Sequence, residues 1–123
     1  MTCLFCEKAK ESTHLKDFEN SYAIFDEFPV SPGHVLLISK EHIPDWFSAA
    51  ETIQQEFTKA TNELKKTLDQ KFHPQAYNIG LNCGRAAGQT LMHLHLHLIP
   101  RYEGDMENPR GGVRGVIPGK QNY

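Results

Sequence analysis

Three histidines alternate with leucines in the run His93-Leu94-His95-Leu96-His97. Alternate side chains of an extended chain point to opposite faces, so the spacing predicts three imidazoles on one face and Leu94, Leu96 and Leu98 on the other. A row of leucines needs only a core to pack against. A row of imidazoles is costly to assemble unless a metal, an anion or a proton transfer uses it. One chemistry that fits is metal ligation, although histidines of a single strand make an awkward cage without help from elsewhere. The other is attack by an imidazole nucleophile flanked by donors that bind a phosphate. Spacing alone leaves both open.

A second group lies at the N-terminus. Cys3 and Cys6 have the spacing of one half of a zinc site, with no second pair nearby to complete it. A redox role needs a thioredoxin-like βαβ context, which the order of elements does not supply. Cys83, the remaining cysteine, reads as a small buried thiol.

The elements that must hold these groups follow from periodicity. Residues 22–26 and 34–39 are short, rich in β-branched and aromatic types, and separated by Pro29, Pro32 and Gly33, so they predict two strands joined by a turn. From residue 45 to 72 the apolar positions Phe47, Ile53, Phe57, Ala60, Leu64 and Leu68 recur at helical spacing, and the pattern stops near His73-Pro74. Residues 76–82 and 91–99 predict two further strands, linked by a loop of small residues that includes Gly84, Ala86, Ala87 and Gly88. Strands that outnumber helices, with one long helix, give an α+β fold with a mainly antiparallel sheet covered on one face. The 123 residues suit a single domain over 1–123, with 102–123 as a C-terminal arm or loop rich in Gly, Pro and Arg.

Composition narrows the partners. Hydrophobic residues make up 39% and charged residues 23%, with a net charge of -2, so no global basic field attracts nucleic acid or an anionic membrane. Phosphate recognition must therefore be local. The first twenty residues carry Glu7, Lys8, Lys10, Glu11, Lys16, Asp17 and Glu19, and no apolar run reaches signal-peptide or membrane-spanning length, which predicts a cytoplasmic protein.

Gly88-Gln89-Thr90 followed by Met92-His93-Leu94-His95-Leu96-His97-Leu98-Ile99-Pro100-Arg101 resembles the signature of the histidine triad family of nucleotide hydrolases and transferases. With Asp26, Pro32-Gly33-His34-Val35-Leu36 and Asn82, the resemblance runs from Cys3 to about residue 105, and the cysteine pair resembles that of small bacterial-type members. It implies that His95 is the nucleophile, its other ring nitrogen held by a backbone carbonyl. His97 would donate to the phosphoryl oxygens and His34 would orient the cluster. Asn82, Gln89 and Thr90 would contact the phosphate and Asp26 the ribose hydroxyls. Leu4, Phe5, Ile24 and Leu36 would line a flat base pocket that grips a purine and discriminates weakly among bases.

The resemblance further implies a structural zinc held by Cys3, Cys6, His42 and His93, with His14 as a rival ligand, and no organic cofactor. It implies a homodimer across which the sheet extends. Arg101, Arg110 and Arg114 become candidates for handling the leaving group. The expected activity is attack at the α-phosphate of a purine nucleotide conjugate, a dinucleoside polyphosphate, adenylyl sulfate or nucleoside phosphoramidate, through a nucleotidyl-histidine intermediate. The alternatives are a purine-nucleotide-binding module with little turnover and a catalytic metalloenzyme.

Overall fold

The computed structural model describes residues 3–123. Among them are five strands, β1 (Lys16–Asp17), β2 (Ser21–Phe25), β3 (Val35–Ser39), β4 (Ala76–Gly80) and β5 (His95–Arg101), and two α-helices, α1 (Leu4–Ala9) and α2 (Glu51–Phe72). The strands form one sheet in the order β1-β2-β3-β5-β4, antiparallel at every step. The α+β class with a mainly antiparallel sheet and one long helix is therefore the observed fold. Elements α1 and β1, too short to show a period, have no counterpart in the sequence reading.

Each face of the sheet has its own apolar cluster. On one, Ile53, Phe57, Ala60, Leu64 and Leu68 of α2 pack against Ala23, Val35, Leu37, Leu94, Leu96 and Leu98. On the other, Phe5 of α1 packs with Tyr22, Leu36 and Ile38. Strand β3 is buried on both faces because it lies at the centre of the sheet, which is why its sequence is continuously apolar rather than alternating. Its register with β5 sets Leu36 opposite His97 and Ile38 opposite His95. The leucines of β5 thus enter the α2 core and His95 and His97 project toward α1.

Two boundaries move. The long helix begins at Glu51 rather than at 45, because the Asp45 Oδ1 accepts the Ser48 N–H at 2.9 Å and caps a separate 3-10 turn over Trp46–Ser48, after which Ala49 and Ala50 are extended. Phe47 is consequently 80% exposed instead of part of the helical stripe. The last strand begins at His95 rather than 91: the Leu94 N–H donates to the Ile43 carbonyl at 2.6 Å, and only the Leu94 carbonyl, which accepts the Ser39 N–H at 3.2 Å, still bonds to β3. The turn before β3 needs Gly33, whose φ is +87° and where a Cβ would lie 2.9 Å from the Phe72 ring. No helix among the described residues is long and apolar enough to cross a membrane.

Candidate active site and metal centre

Hydrogen bonds fix which nitrogen of each imidazole carries the proton. His95 Nδ1 lies 2.8 Å from the His93 carbonyl, which only accepts, so Nδ1 is protonated and Nε2 keeps its lone pair. The Val30 N–H donates to His34 Nδ1 at 3.1 Å, so the His34 proton sits on Nε2. That proton is shared with His97 Nδ1 at 2.9 Å, which leaves the remaining His97 proton on Nε2. Asp26 Oδ2 lies 3.4 Å from the same His34 Nε2, while Asp26 Oδ1 accepts the Phe28 N–H at 2.8 Å. Burial, the largest influence, lowers the pKa of His34 and pushes that of His97 down to about 4, so both are neutral near pH 7. Asp26 and His97 thus flank the same His34 Nε2 proton. With His34 Nε2 protonated, the three residues offer no three-ligand metal site, although their donor atoms lie close together.

Beside these histidines is a cavity of about 370 Å³. Of the residues expected there, Leu4, Phe5, Ile24, Asp26, Leu36, Asn82, Thr90, His95 and His97 line it, and His34 stands behind His97. Phe5 packs edge-on to His95, with ring centroids 5.0 Å apart. Lys8, Glu27, Phe28 and Leu91 also line the cavity and were not anticipated. Recognising α1 would have revealed Lys8, which falls four residues after Leu4 on one helical face.

The first histidine of the triad stands beside the cysteine pair, as the resemblance implied. His93 stays on the α1 side of the sheet with His95, both rings edge-on to Phe5 at 5.8 and 5.0 Å, while Leu94 joins Leu96 and Leu98 in the α2 core, and the fully buried His93 ring also meets the cysteines. His93 Nε2 lies 2.7 Å from the Ser39 carbonyl and must carry the proton, so Nδ1 presents its lone pair 3.2 Å from Cys3 Sγ and 3.5 Å from Cys6 Sγ. His42 Nδ1 lies 3.3 Å from Cys6 Sγ, and all four donor atoms fall within 4.8 Å of one another. A tetrahedral zinc with Zn–S near 2.3 Å and Zn–N near 2.0 Å separates its sulfur and nitrogen ligands by about 3.5 Å. The four residues therefore fit a zinc ion in donor type, spacing and tautomer.

Other expected positions lie elsewhere. Gln89 is buried outside the cavity: its Oε1 accepts the Gly84 N–H at 2.8 Å and its Nε2 donates to the Pro44 and Leu91 carbonyls, so the amide ties the loop together and has no group left for a phosphate. His14 is no rival metal ligand, since Asp17 Oδ1 at 2.8 Å and the Lys8 carbonyl at 2.7 Å occupy both its nitrogens. Burial opposes charge on His14, yet those two acceptors outweigh it and raise its pKa. The arginines also point away. Arg101 is held by Asp105 and Asn78 beside a separate depression of about 470 Å³, and Arg110 and Arg114 stack on Tyr123. Cys83 is half-buried rather than buried.

Residues 7–104 match the sequence model of the HIT domain family. The chain is 36% identical over 120 residues to a HIT-like protein of Methanocaldococcus jannaschii, covering 93% of this chain and 91% of the relative. It is 32% identical to a bis(5'-adenosyl)-triphosphatase of Dictyostelium discoideum, covering 73% of this chain and 60% of the relative. An AP-4-A phosphorylase of Mycobacterium tuberculosis is 29% identical, over 68% of this chain and 44% of that protein. Among solved structures, a zinc-bound histidine triad family protein from Mycobacterium smegmatis superposes with a TM-score of 0.80 at 29% identity, covering 88% of this chain and 81% of that one.

Proposed function

The chain belongs to the HIT domain family, and from that premise we propose that it is a nucleotidyl hydrolase or transferase acting at the α-phosphate of a purine nucleotide conjugate. The observation that carries the reading is the orientation of His95: its Nδ1–H is tied to the His93 carbonyl and its Nε2 lone pair is left for the cavity, with the His97 Nε2 proton at the neighbouring position. Relatives named for diadenosine substrates point to the same chemistry. In the proposed reaction, His95 Nε2 donates its lone pair to the α-phosphorus, and the bond to the leaving group breaks with its electron pair departing on that group. Water then adds to phosphorus as the P–N bond breaks, returning the pair to Nε2, releasing one proton to solvent and freeing a nucleoside monophosphate. His97 donates to the phosphoryl oxygens, and His34 holds His97 in the donating tautomer. Asn82 and Thr90 offer neutral donors to the phosphate. Asp26 accepts from the ribose, and Leu4, Phe5, Ile24 and Leu36 enclose the base. Dinucleoside polyphosphates, adenylyl sulfate and nucleoside phosphoramidates all present such a phosphorus.

Cys3, Cys6, His42 and His93 are proposed to hold a structural zinc. Four protein ligands fill a tetrahedral shell, so the ion would serve as a clip. His93 joins the two sites, since the ring proposed to bind metal belongs to the residue whose carbonyl orients His95.

The test is an alkaline quench of enzyme mixed with labelled substrate, followed by mass spectrometry. A nucleotidyl adduct on His95 is expected. The His95→Ala protein should lose turnover and keep nucleotide affinity, because a nucleophile acts mainly beyond the ground state. Nucleotide bound and returned unchanged would indicate a binding module instead. Near-normal turnover by His95→Ala would overturn the mechanism.

A further inference from the structure

Besides the apolar side chains of Leu4, Phe5, Ile24, Leu36 and Leu91 and the polar groups already given roles, the cavity is lined by an ion pair without one. Lys8 Nζ of α1 lies 2.7 Å from Glu27 Oε1, in the segment after β2. The Lys8 side chain is 17% exposed and that of Glu27 is 63% exposed, which puts the glutamate at the rim and the lysine further in. An ion pair so open to water contributes little to stability. Both partners nevertheless have unused capacity. Among the described residues, Lys8 Nζ donates only to Glu27 Oε1, and Glu27 Oε2 accepts nothing. Two ammonium protons and a carboxylate oxygen therefore remain for a ligand.

An aliphatic slot distinguishes flat bases poorly, whereas a site whose polar groups would be left unpaired rejects a ligand that cannot satisfy them. Glu27 directly follows Asp26, and both line the same cavity. Resting on the nucleotide reading above, we propose that Lys8 and Glu27 are specificity-determining residues that read the hydrogen-bonding edge of the base, Lys8 donating to a ring acceptor or carbonyl and Glu27 accepting from an adjacent N–H. The favoured substrate is a base that shows an acceptor beside an N–H donor, over a purine that lacks its exocyclic group.

The experiment compares kcat/KM for the 5'-phosphoramidates of adenosine, guanosine and purine riboside, together with calorimetric affinities for the three 5'-monophosphates. The wild type should favour adenosine or guanosine over purine riboside by about tenfold in both measurements, the scale of one polar group left unpaired. In a Lys8→Met/Glu27→Gln protein the ratio should fall to about two or less. A Lys8→Glu/Glu27→Lys protein restores the ion pair with its donors and acceptors exchanged. If the pair only straps α1 to the loop, this variant recovers wild-type selectivity; if the pair reads the base, it retains activity on purine riboside and shows an altered preference between adenosine and guanosine. Equal wild-type values for all three bases, a ratio that survives the Met/Gln variant, or full recovery by the exchanged pair overturns the assignment and leaves the nucleotide reading intact. Neither turnover nor binding of any of them overturns that reading, and the base assignment with it.

Discussion

At the scale of single residues, the site depends on tautomers set by hydrogen bonds. A neutral His34 donates its Nε2 proton in a hydrogen bond to His97 Nδ1 and so fixes the His97 tautomer, and burial keeps both rings neutral. Because their folded pKa values lie below the unfolded value, the unfolded chain binds more protons between about pH 6.5 and pH 4. Their contribution to stability is thus present in full above that window and is lost as pH falls through it. Denaturant midpoints at pH 7, 5.5 and 4.5 should decline, with a shallower slope in His97→Asn, and nitrogen NMR at pH 5.5 should still find His97 neutral with its proton on Nε2. A doubly protonated His97 at that pH would contradict the tautomer assignment. The pairing of His95 with His97 was legible in the alternation of the sequence. The tautomers were not, because each depends on a partner that is distant in sequence or on backbone geometry.

At the scale of elements, α1 lines the cavity with Leu4, Phe5 and Lys8 yet has little intrinsic stability. Six residues are too few for a helix to persist alone, and its N-cap residue, Cys3, makes no capping hydrogen bond through its side chain. It is held from outside: Tyr22 Oη donates to the Phe5 carbonyl, His14 bonds the Lys8 carbonyl, and the cysteines meet His42 and His93. Protein purified without chelator should contain about one zinc per chain, as expected for one four-ligand site. Stripping the metal, or making Cys6→Ser, should raise KM by loosening the wall formed by Leu4 and Phe5 and lower kcat through the His93 carbonyl. Hydrogen exchange should quicken in α1 and at residues 93–95 while α2 stays protected. Unchanged exchange in α1 after metal removal would show that the clip is not structural. Helix α2 was legible because 22 residues repeat an apolar period, whereas α1 and the two-residue β1 are too short to show one.

At the scale of the whole molecule, the two edges of the sheet differ. Strand β1 has two residues, whereas β4 has five, with Ile79 53% exposed. A free edge of that length invites pairing, and β4 is the proposed seam of a symmetric homodimer that would extend the sheet. Light scattering at micromolar concentration should give twice the chain mass, and Ile79→Lys should shift the population toward monomer by placing a charge at the seam. A wild-type monomer would refute the proposal. The sequence alone determined the α+β class, the long helix, the opposite faces of the leucines and of His95 and His97, and a cysteine pair suited to metal, because periods of 2 and 3.6 and short motifs are local properties of a chain. Tertiary structure decided the rest. It set the His93 ring against Cys3, 90 positions away, turned Gln89 inward, engaged Arg101, Arg110 and Arg114 away from the cavity, and brought Lys8 against Glu27. Those outcomes depend on which hydrogen-bond donors and acceptors meet once the sheet has closed on its helices, and no spacing along the chain specifies that meeting.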